Sequence, residues 1–486
     1  MKDFITEIKK YSTENIILLF ARYSQEIYKK RQENKNYSSY IEFPIEYRQY
    51  SFGPKKQKTI MLFAWDIQHI QYLAIMNSND HRRQTINNAQ EAALLVNRYR
   101  VYSNENSNAE QLREMELSGV FKQLFGMGAE QFIYQDISWV FQRFNRNYHI
   151  LFGSPNINKI MDIDAIVKNR IGLSAQELIT TYFIVFWLCL QNPNILSAPE
   201  TLYKKKDKTI LTSENIKKIV DYYTISYDEV RKSPLENQVF FSKPFIKTQK
   251  GITLMTNFYL VLMLMADGVF WIIRDYYRER NSQDFVRTFG EMFEVYFEEL
   301  TSMYLDSRQY QKLSSINKST ADFVLFFNNA IILIELKSAL IGIQAKQANP
   351  NVEQIDGFFK RHIEKAYTQL RESEKNYIGE RPVLKFILLY ENIINTAMIQ
   401  AAAMDIFQND SNVYITTIAI IENFLVLYSN DKNKAEAILE VLVAQNDNTT
   451  NLQAELDKIE VSNNSHSLDR LNYFDKFMKK LERELV

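Results

Sequence analysis

The sequence predicts an α+β chain, α/β in its second half: a mostly helical domain over residues 1–250, then a mixed region built on a central sheet. Three observations predict it. Apolar residues recur at helical spacing through most of the first 250 positions. Glycine (12) and proline (9) are scarce in 486 residues, which favours long helices with few enforced turns. Residues 321–338, Ala-Asp-Phe-Val-Leu-Phe-Phe-Asn-Asn-Ala-Ile-Ile-Leu-Ile-Glu-Leu-Lys-Ser, carry two strand-like runs on either side of Asn328-Asn329.

Bulk composition narrows the function classes. Lys+Arg 58 balances Asp+Glu 58, so no global field draws the chain to nucleic acid, and such contact must come from a local patch. The one cysteine, Cys189, excludes a disulfide framework or thiolate metal site and fits a cytoplasmic protein. The five histidines are scattered without ligand spacing, which suits surface or packing positions. The opening Met-Lys-Asp-Phe-Ile-Thr-Glu-Ile-Lys-Lys is amphipathic rather than a signal peptide. Two apolar runs, 178–190 and 258–273, are respectively too short and interrupted by Asp267-Gly268, so buried core helices are expected and no membrane partner.

In chain order, helices are expected over 5–30, 60–76, 89–98, 110–125 and 177–191, separated by polar stretches, with no repeat of constant period. Basic and aromatic residues cluster at Arg82-Arg83, at Arg98-Tyr99-Arg100 and at Arg143, Phe144, Arg146 and Tyr148. Such side chains can hold phosphates and stack bases, or simply solvate a helix face, and the second reading is favoured. Residues 204–208, four lysines and an aspartate, read as an exposed loop. A helical connector is placed at 251–283, and the stretch 240–277 that leads into it is expected to dock the helical half onto the sheet-containing half. The next helix begins at Asp284, and at 100° per residue Phe289, Met292, Phe293, Tyr296, Phe297, Leu300, Met303 and Tyr304 form one apolar stripe. Glu291 and Glu298 lie outside it, and Glu294 sits at its edge, on the flank of Gly290, where a glycine leaves room for close approach.

Residues 310–314 are read as a strand, followed by the hairpin. Asparagine tolerates the positive φ of a tight turn. With Asn328-Asn329 as the turn, Phe327 pairs with Ala330, and counting back brings Asp322 opposite Glu335. Period-2 alternation puts Lys337 on the face of Glu335, Leu333 and Ile331, while Ile334 and Leu336 point the other way. Opposed carboxylates repel, so a fold that keeps them needs a cation. Hard oxygen donors without thiolate or imidazole suit Mg²⁺ or Mn²⁺. Beyond the hairpin, 352–377 reads as a helix and 382–390 as a buried strand. The segments 398–407, 413–420 and 424–428 extend the same domain, placed at 284–445. The remainder, 446–486, reads as polar connectors (446–451, 462–467) and a charged amphipathic helix (468–485) that packs back or mediates self-association.

An aspartate followed, after a hairpin turn, by Glu335-Leu336-Lys337 resembles the PD-(D/E)XK nuclease superfamily, over about residues 285–390. The resemblance implies a restriction-endonuclease-like αβββαβ core with a mixed central sheet. It makes Asp322 the metal-binding aspartate, Glu335 the acidic residue of the D/E-x-K triplet and Lys337 its lysine. The family's proline before the aspartate is absent, Ala321 standing there. Gly290-x-x-Phe293-Glu294 is similar to the family's first helix, whose glutamate joins the metal site, which assigns Glu294 to the metal with Asp322 and Glu335. Ala366-Tyr367-Thr368-Gln369-Leu370 resembles the RecB-like segment whose glutamine helps position metal or substrate, which nominates Gln369, with Lys365 one turn earlier able to share the face. Glu7-Ile8-Lys9 spells the same triplet but falls on a helical pattern without an opposed aspartate. The implied function is a Mg²⁺- or Mn²⁺-dependent endonuclease, a phosphodiesterase acting on DNA rather than RNA, with the helical half choosing a target, sensing a trigger or binding a partner protein. A homo-oligomer would serve double-strand cleavage. By association, such an architecture fits bacterial defence against phage or plasmids. The alternative is an inactive nuclease-like module that binds nucleic acid or a partner.

Overall fold

The structure, a computed structural model, describes residues 3–33, 40–44, 59–105, 116–135, 138–194, 213–282, 284–313, 320–338, 352–377, 379, 381–390, 395–407, 410–444, 451–459 and 471–485. The loop expected at 204–208, residues 446–450 of the connector expected at 446–451, the connector at 462–467, and Ser314 lie outside these residues. The fold is α+β, with helices predominating and a mixed five-stranded sheet in the second half.

The first half holds more strand than the helical pattern suggests. β1 (Tyr40–Pro44) and β2 (Thr59–Phe63) pair antiparallel, so the helix expected over 60–76 begins only at Asp66. The Ile60-Met-Leu-Phe63 run is apolar enough for either state, and the Asp66 carboxylate accepts the Phe63 N–H at 3.2 Å, fixing the strand-to-helix corner. β3 (Thr224–Ser226), β4 (Phe245–Lys247) and β5 (Thr253–Met255) form a second small sheet, parallel between β3 and β4 and antiparallel between β4 and β5. Gly251, at φ 83°, makes the turn into β5.

The two apolar runs are core helices, as expected. Ala175–Gln191 opens with a reciprocal capping box between Ser174 and Glu177, and Phe258–Arg278 is buried along most of its length. At Gly268 an added Cβ would meet the Tyr182 ring at 2.7 Å, so only glycine lets that tyrosine cross the helix. Phe270 packs edge-on or tilted against Phe285 and Phe289, joining this helix to Asp284–Tyr304. No single helix among the described residues is long and apolar enough to cross a membrane.

The arginine-rich cluster at 143–148 takes neither role expected of it. On Ser138–Tyr148, Arg143 pairs with buried Asp267 at 2.5 Å, which also accepts from Asn147 at 3.1 Å. Arg146 grips Glu422 through two hydrogen bonds of 2.6 and 2.8 Å, and the Tyr296 hydroxyl donates to the same carboxylate at 2.7 Å. These guanidiniums are interior ties, which sequence periodicity cannot distinguish from a solvated stripe because their partners lie more than 100 residues away. Elsewhere Arg98 pairs with Glu7 and Arg100 lies over the Phe63 ring at 5.1 Å.

In the second half, Asp284–Tyr304 is followed by β6 (Tyr310–Lys312), β7 (Phe323–Phe326), β8 (Ile331–Lys337), a long helical stretch and β9 (Val383–Leu389). The helical stretch runs from Val352 to Tyr377 as expected, and its middle turn, Phe359–Glu364, is π-helical. β10 (Val413–Thr417) completes a sheet of order β10-β9-β8-β7-β6, antiparallel from β6 to β8 and parallel from β8 to β10. At Ile418 the chain turns from strand into the helix Ile418–Asn430, which the alternating reading of 413–428 did not separate.

Alternation sends the two faces of the sheet into two cores. Phe323, Leu325, Ile332, Ile334 and Leu336 join a cluster that runs from Phe4 to Leu471 and includes Phe293 and Phe297. Val324, Ile331 and Leu333 join a smaller one with Ile363, Ala366 and Leu370 of the 352–377 helix. The last helix, Tyr473–Leu485, packs back onto the first half, where Phe474 and Phe477 meet Phe144 and Phe183.

Candidate active site

The hairpin has the expected register. Phe323 pairs with Ile334 and Phe326 with Ile331, and the Phe327 N–H donates to the Ala330 carbonyl at 3.0 Å. The turn itself differs: neither Asn328 nor Asn329 has positive φ. Their amides instead donate to the two oxygens of Glu436, on the helix Lys432–Ala444, at 2.9 and 3.1 Å. A carboxylate from a distant helix does the work that a left-handed turn would do locally.

The ladder ends at Phe323–Ile334, one residue short of the expected Asp322–Glu335 pair; Asp322 stands just before β7, where its charge bears on Glu335. The Asp322 N–H donates to the Ile334 carbonyl at 2.9 Å, and one carboxylate oxygen accepts the Leu336 N–H at 2.7 Å. Aspartate is short enough to bond the neighbouring strand's backbone, which fixes its side chain across the ladder. Glu335 is 2% exposed; its Oε1 accepts from the Lys337 ammonium at 2.5 Å, while Oε2 is buried with no hydrogen-bond partner. Lys337 Nζ also lies 3.3 Å from Gln369 Oε1, and the Gln369 amide reaches the Thr320 carbonyl at 3.4 Å. Asp322, Glu335, Lys337 and Gln369 therefore form one contiguous polar group between the end of the sheet and the 365–374 helix.

Glu294 approaches from the opposite layer. Gly290, one turn earlier, sits beside Ser338, although an added Cβ there would make only an ordinary 3.5 Å contact with its Oγ, so close approach does not require the glycine. The Glu294 carboxylate bears electrostatically on both Asp322 and Glu335, but its Oε2 is directed at Lys312 of β6, 3.7 Å away. Among the described residues no three Asp, Glu, His or Cys side chains converge at metal-ligand spacing.

Electrostatics set both members of the acidic pair above the usual carboxylate range. Burial pushes Asp322 up to about 6; the Leu336 N–H and the cations Lys337 and Lys312 oppose the rise, and the Glu294 charge adds to it. Glu335 is pushed up to about 8 by burial and then by the facing Asp322 charge, with Lys337 as the counterweight. Both carboxylates thus have raised affinity for a positive partner, whether a proton or a cation. Their hard oxygens and the orphaned Glu335 Oε2 fit a divalent ion of the Mg²⁺ or Mn²⁺ kind.

Sequence reasoning missed three contributors. Lys312, read only as part of a strand, is shared between Glu298 at 3.3 Å and Glu294 at 3.7 Å and bears on Asp322. Tyr390, just past β9, donates its N–H to the Lys337 carbonyl at 2.9 Å and packs its ring against Phe289 and Phe293. His362, grouped with the scattered histidines, is near enough to Lys337 for the two charges to interact; its helical spacing from Gln369 was the available signal. No protein-family model matches the chain, and neither a curated protein nor a solved structure matches it.

Proposed function

We propose that this chain is a metal-dependent nuclease of PD-(D/E)XK type that hydrolyses phosphodiester bonds in DNA. The observation that carries the reading is the buried juxtaposition of the Asp322 and Glu335 carboxylates, whose charges bear on each other, with Lys337 two residues along the strand of Glu335 and bonded to it. The element order from Asp284 to Leu389, helix, three strands, helix, strand, supports it as the family's αβββαβ core.

Asp322 and Glu335 would hold the divalent ion, with Glu294 as the third carboxylate once turned from Lys312; the ion would supply Lewis-acid charge neutralisation at the phosphate. The chain's own residues do the rest. Lys337, steadied by Glu335 Oε1 and Gln369 Oε1, orients the attacking water and offsets the charge that grows on the phosphoryl oxygens in the transition state. Asp322, tied to the Leu336 N–H, keeps its place as charge redistributes. In-line attack leaves a 5′-phosphate and a 3′-hydroxyl.

The test is incubation of the purified chain with supercoiled, linear and single-stranded DNA and with RNA, with and without Mg²⁺ or Mn²⁺, beside Asp322→Ala and Lys337→Ala. Cleavage that needs metal and is lost in both folded variants is the expected result. Cleavage retained in both refutes the mechanism. The second reading, an inactive nuclease-like module, is favoured by Glu294 facing Lys312 rather than the acidic pair, and metal-independent binding without cutting would establish it.

A further inference from the structure

The helix that carries Gln369 has a feature the phosphodiesterase chemistry does not use. Between Val352–Phe358 and Lys365–Glu374 it widens into the π-helical turn Phe359–Glu364. Such turns sacrifice hydrogen-bond geometry, re-aim side chains and recur at functional positions. This one immediately precedes Lys365. Arg361, Lys365 and Gln369 then lie at i, i+4 and i+8, a single row along the helix surface. Gln369 ends the row against Lys337, with 3.3 Å between Oε1 and Nζ.

Arg361 and Lys365 are exposed, and among the described residues neither makes an ion pair. Arg361 is laid along the helix by a 2.9 Å hydrogen bond from its Nε to the Gly357 carbonyl. Like charges at i, i+4 destabilise a helix, so this row keeps positive potential beside the acidic pair at a cost to the helix itself. His362 registers that potential. It is half-buried against the Phe358 ring at 5.3 Å, and burial, then Lys337, Arg361 and Lys365, all cations, push it down to about 4.

We infer that this row is a ledge for the phosphodiester backbone of bound DNA: Arg361 and Lys365 hold the phosphates next to the one presented to Lys337. The ledge rests on the nuclease reading for its orientation, because that reading fixes which phosphate is cut.

The experiment measures binding of a fluorescein-labelled duplex DNA to the full chain across a salt series in EDTA, and cleavage of the same duplex with Mg²⁺. Arg361→Ala and Lys365→Ala should each reduce the slope of log K against log salt by about 0.9, so that the double variant binds about 30-fold more weakly at 0.15 M salt. Lys217→Ala, a remote exposed lysine on Ser213–Tyr222, should leave the slope unchanged. Slopes in the double variant equal to wild type overturn the ledge, and so does a wild-type chain that binds no DNA. Metal-dependent cleavage with unaltered slopes leaves the nuclease reading standing alone. Altered slopes with no wild-type cleavage support the ledge and sink the nuclease reading.

Discussion

Replacing Glu335 with glutamine makes the chain's stability less sensitive to pH, and the size of the effect is set by where the carboxyl sits. Its pKa rises from an ordinary 4.5 to about 8 because it is buried and faces Asp322. A group whose folded pKa lies above its unfolded value stabilises the fold fully below the unfolded pKa. That contribution is lost as pH climbs through the folded one. Between about pH 4.5 and 8 the metal-free wild type should therefore lose roughly 1.4 kcal/mol per pH unit on this account. Asp322, raised to about 6, works in the same direction over the lower part of the window. Glu335→Gln is isosteric and has no charge to strand, so its stability relative to wild type should grow by a few kcal/mol from pH 5 to pH 8. Urea unfolding of both proteins in EDTA at pH 5, 6.5 and 8 measures this difference. Mn²⁺ at pH 8 should then raise the wild-type midpoint and leave the glutamine variant nearly unmoved; ligand at 100 times its dissociation constant adds about 2.7 kcal/mol. Wild-type and variant curves that stay parallel across the pH series would refute the account of a buried, mutually opposed pair.

Lys337→Ala should lower metal-dependent cleavage by at least ~100-fold, on the scale of losing one transition-state donor, with an unchanged far-UV circular dichroism spectrum; a loss under tenfold argues against its role. Glu436→Ala removes both acceptors of the hairpin turn and should cost about 1–3 kcal/mol, read as faster hydrogen exchange at Asn328 and Asn329 than at the β8–β9 ladder. Arg146→Met leaves the Glu422 carboxylate buried with its guanidinium gone and should cost about 3–5 kcal/mol, whereas Arg146→Met with Glu422→Leu should recover most of that; thermal unfolding of the three proteins separates a structural tie from an incidental contact.

How far the site was legible depended on the sequence distance of each interaction. The pairing of Phe323 with Ile334 could be counted from Asn328-Asn329 because strand alternation has a period of two and the turn lies between the runs, whereas the end of the ladder just short of Asp322 could not. What holds that turn could not be counted, since Glu436 is more than 100 residues away and nothing in Asn-Asn announces a carboxylate acceptor. The same holds for Arg143 and Arg146, whose spacing beside aromatics is identical whether they meet solvent, phosphate or a buried acid. Short apolar runs were the other obstacle. β2 and β3 to β5 are strands of three to five residues, too brief for periodicity to separate strand from helix. The helix Asp284–Tyr304, about six turns long with an apolar stripe over more than four of them, presented no such ambiguity.

The pairing of Arg146 with Glu422 also bears on how this chain can be handled. A fragment beginning at Asp284 would keep every strand of the five-stranded sheet, yet it would lift Phe285 and Phe289 away from Phe270 and leave the Glu422 and Tyr296 pair without its counter-ion. Dissection at that point leaves an exposed greasy flank with a stranded anion inside it. Truncation designs are therefore better drawn at the far end of the chain, where only the Tyr473–Leu485 helix must be kept or replaced.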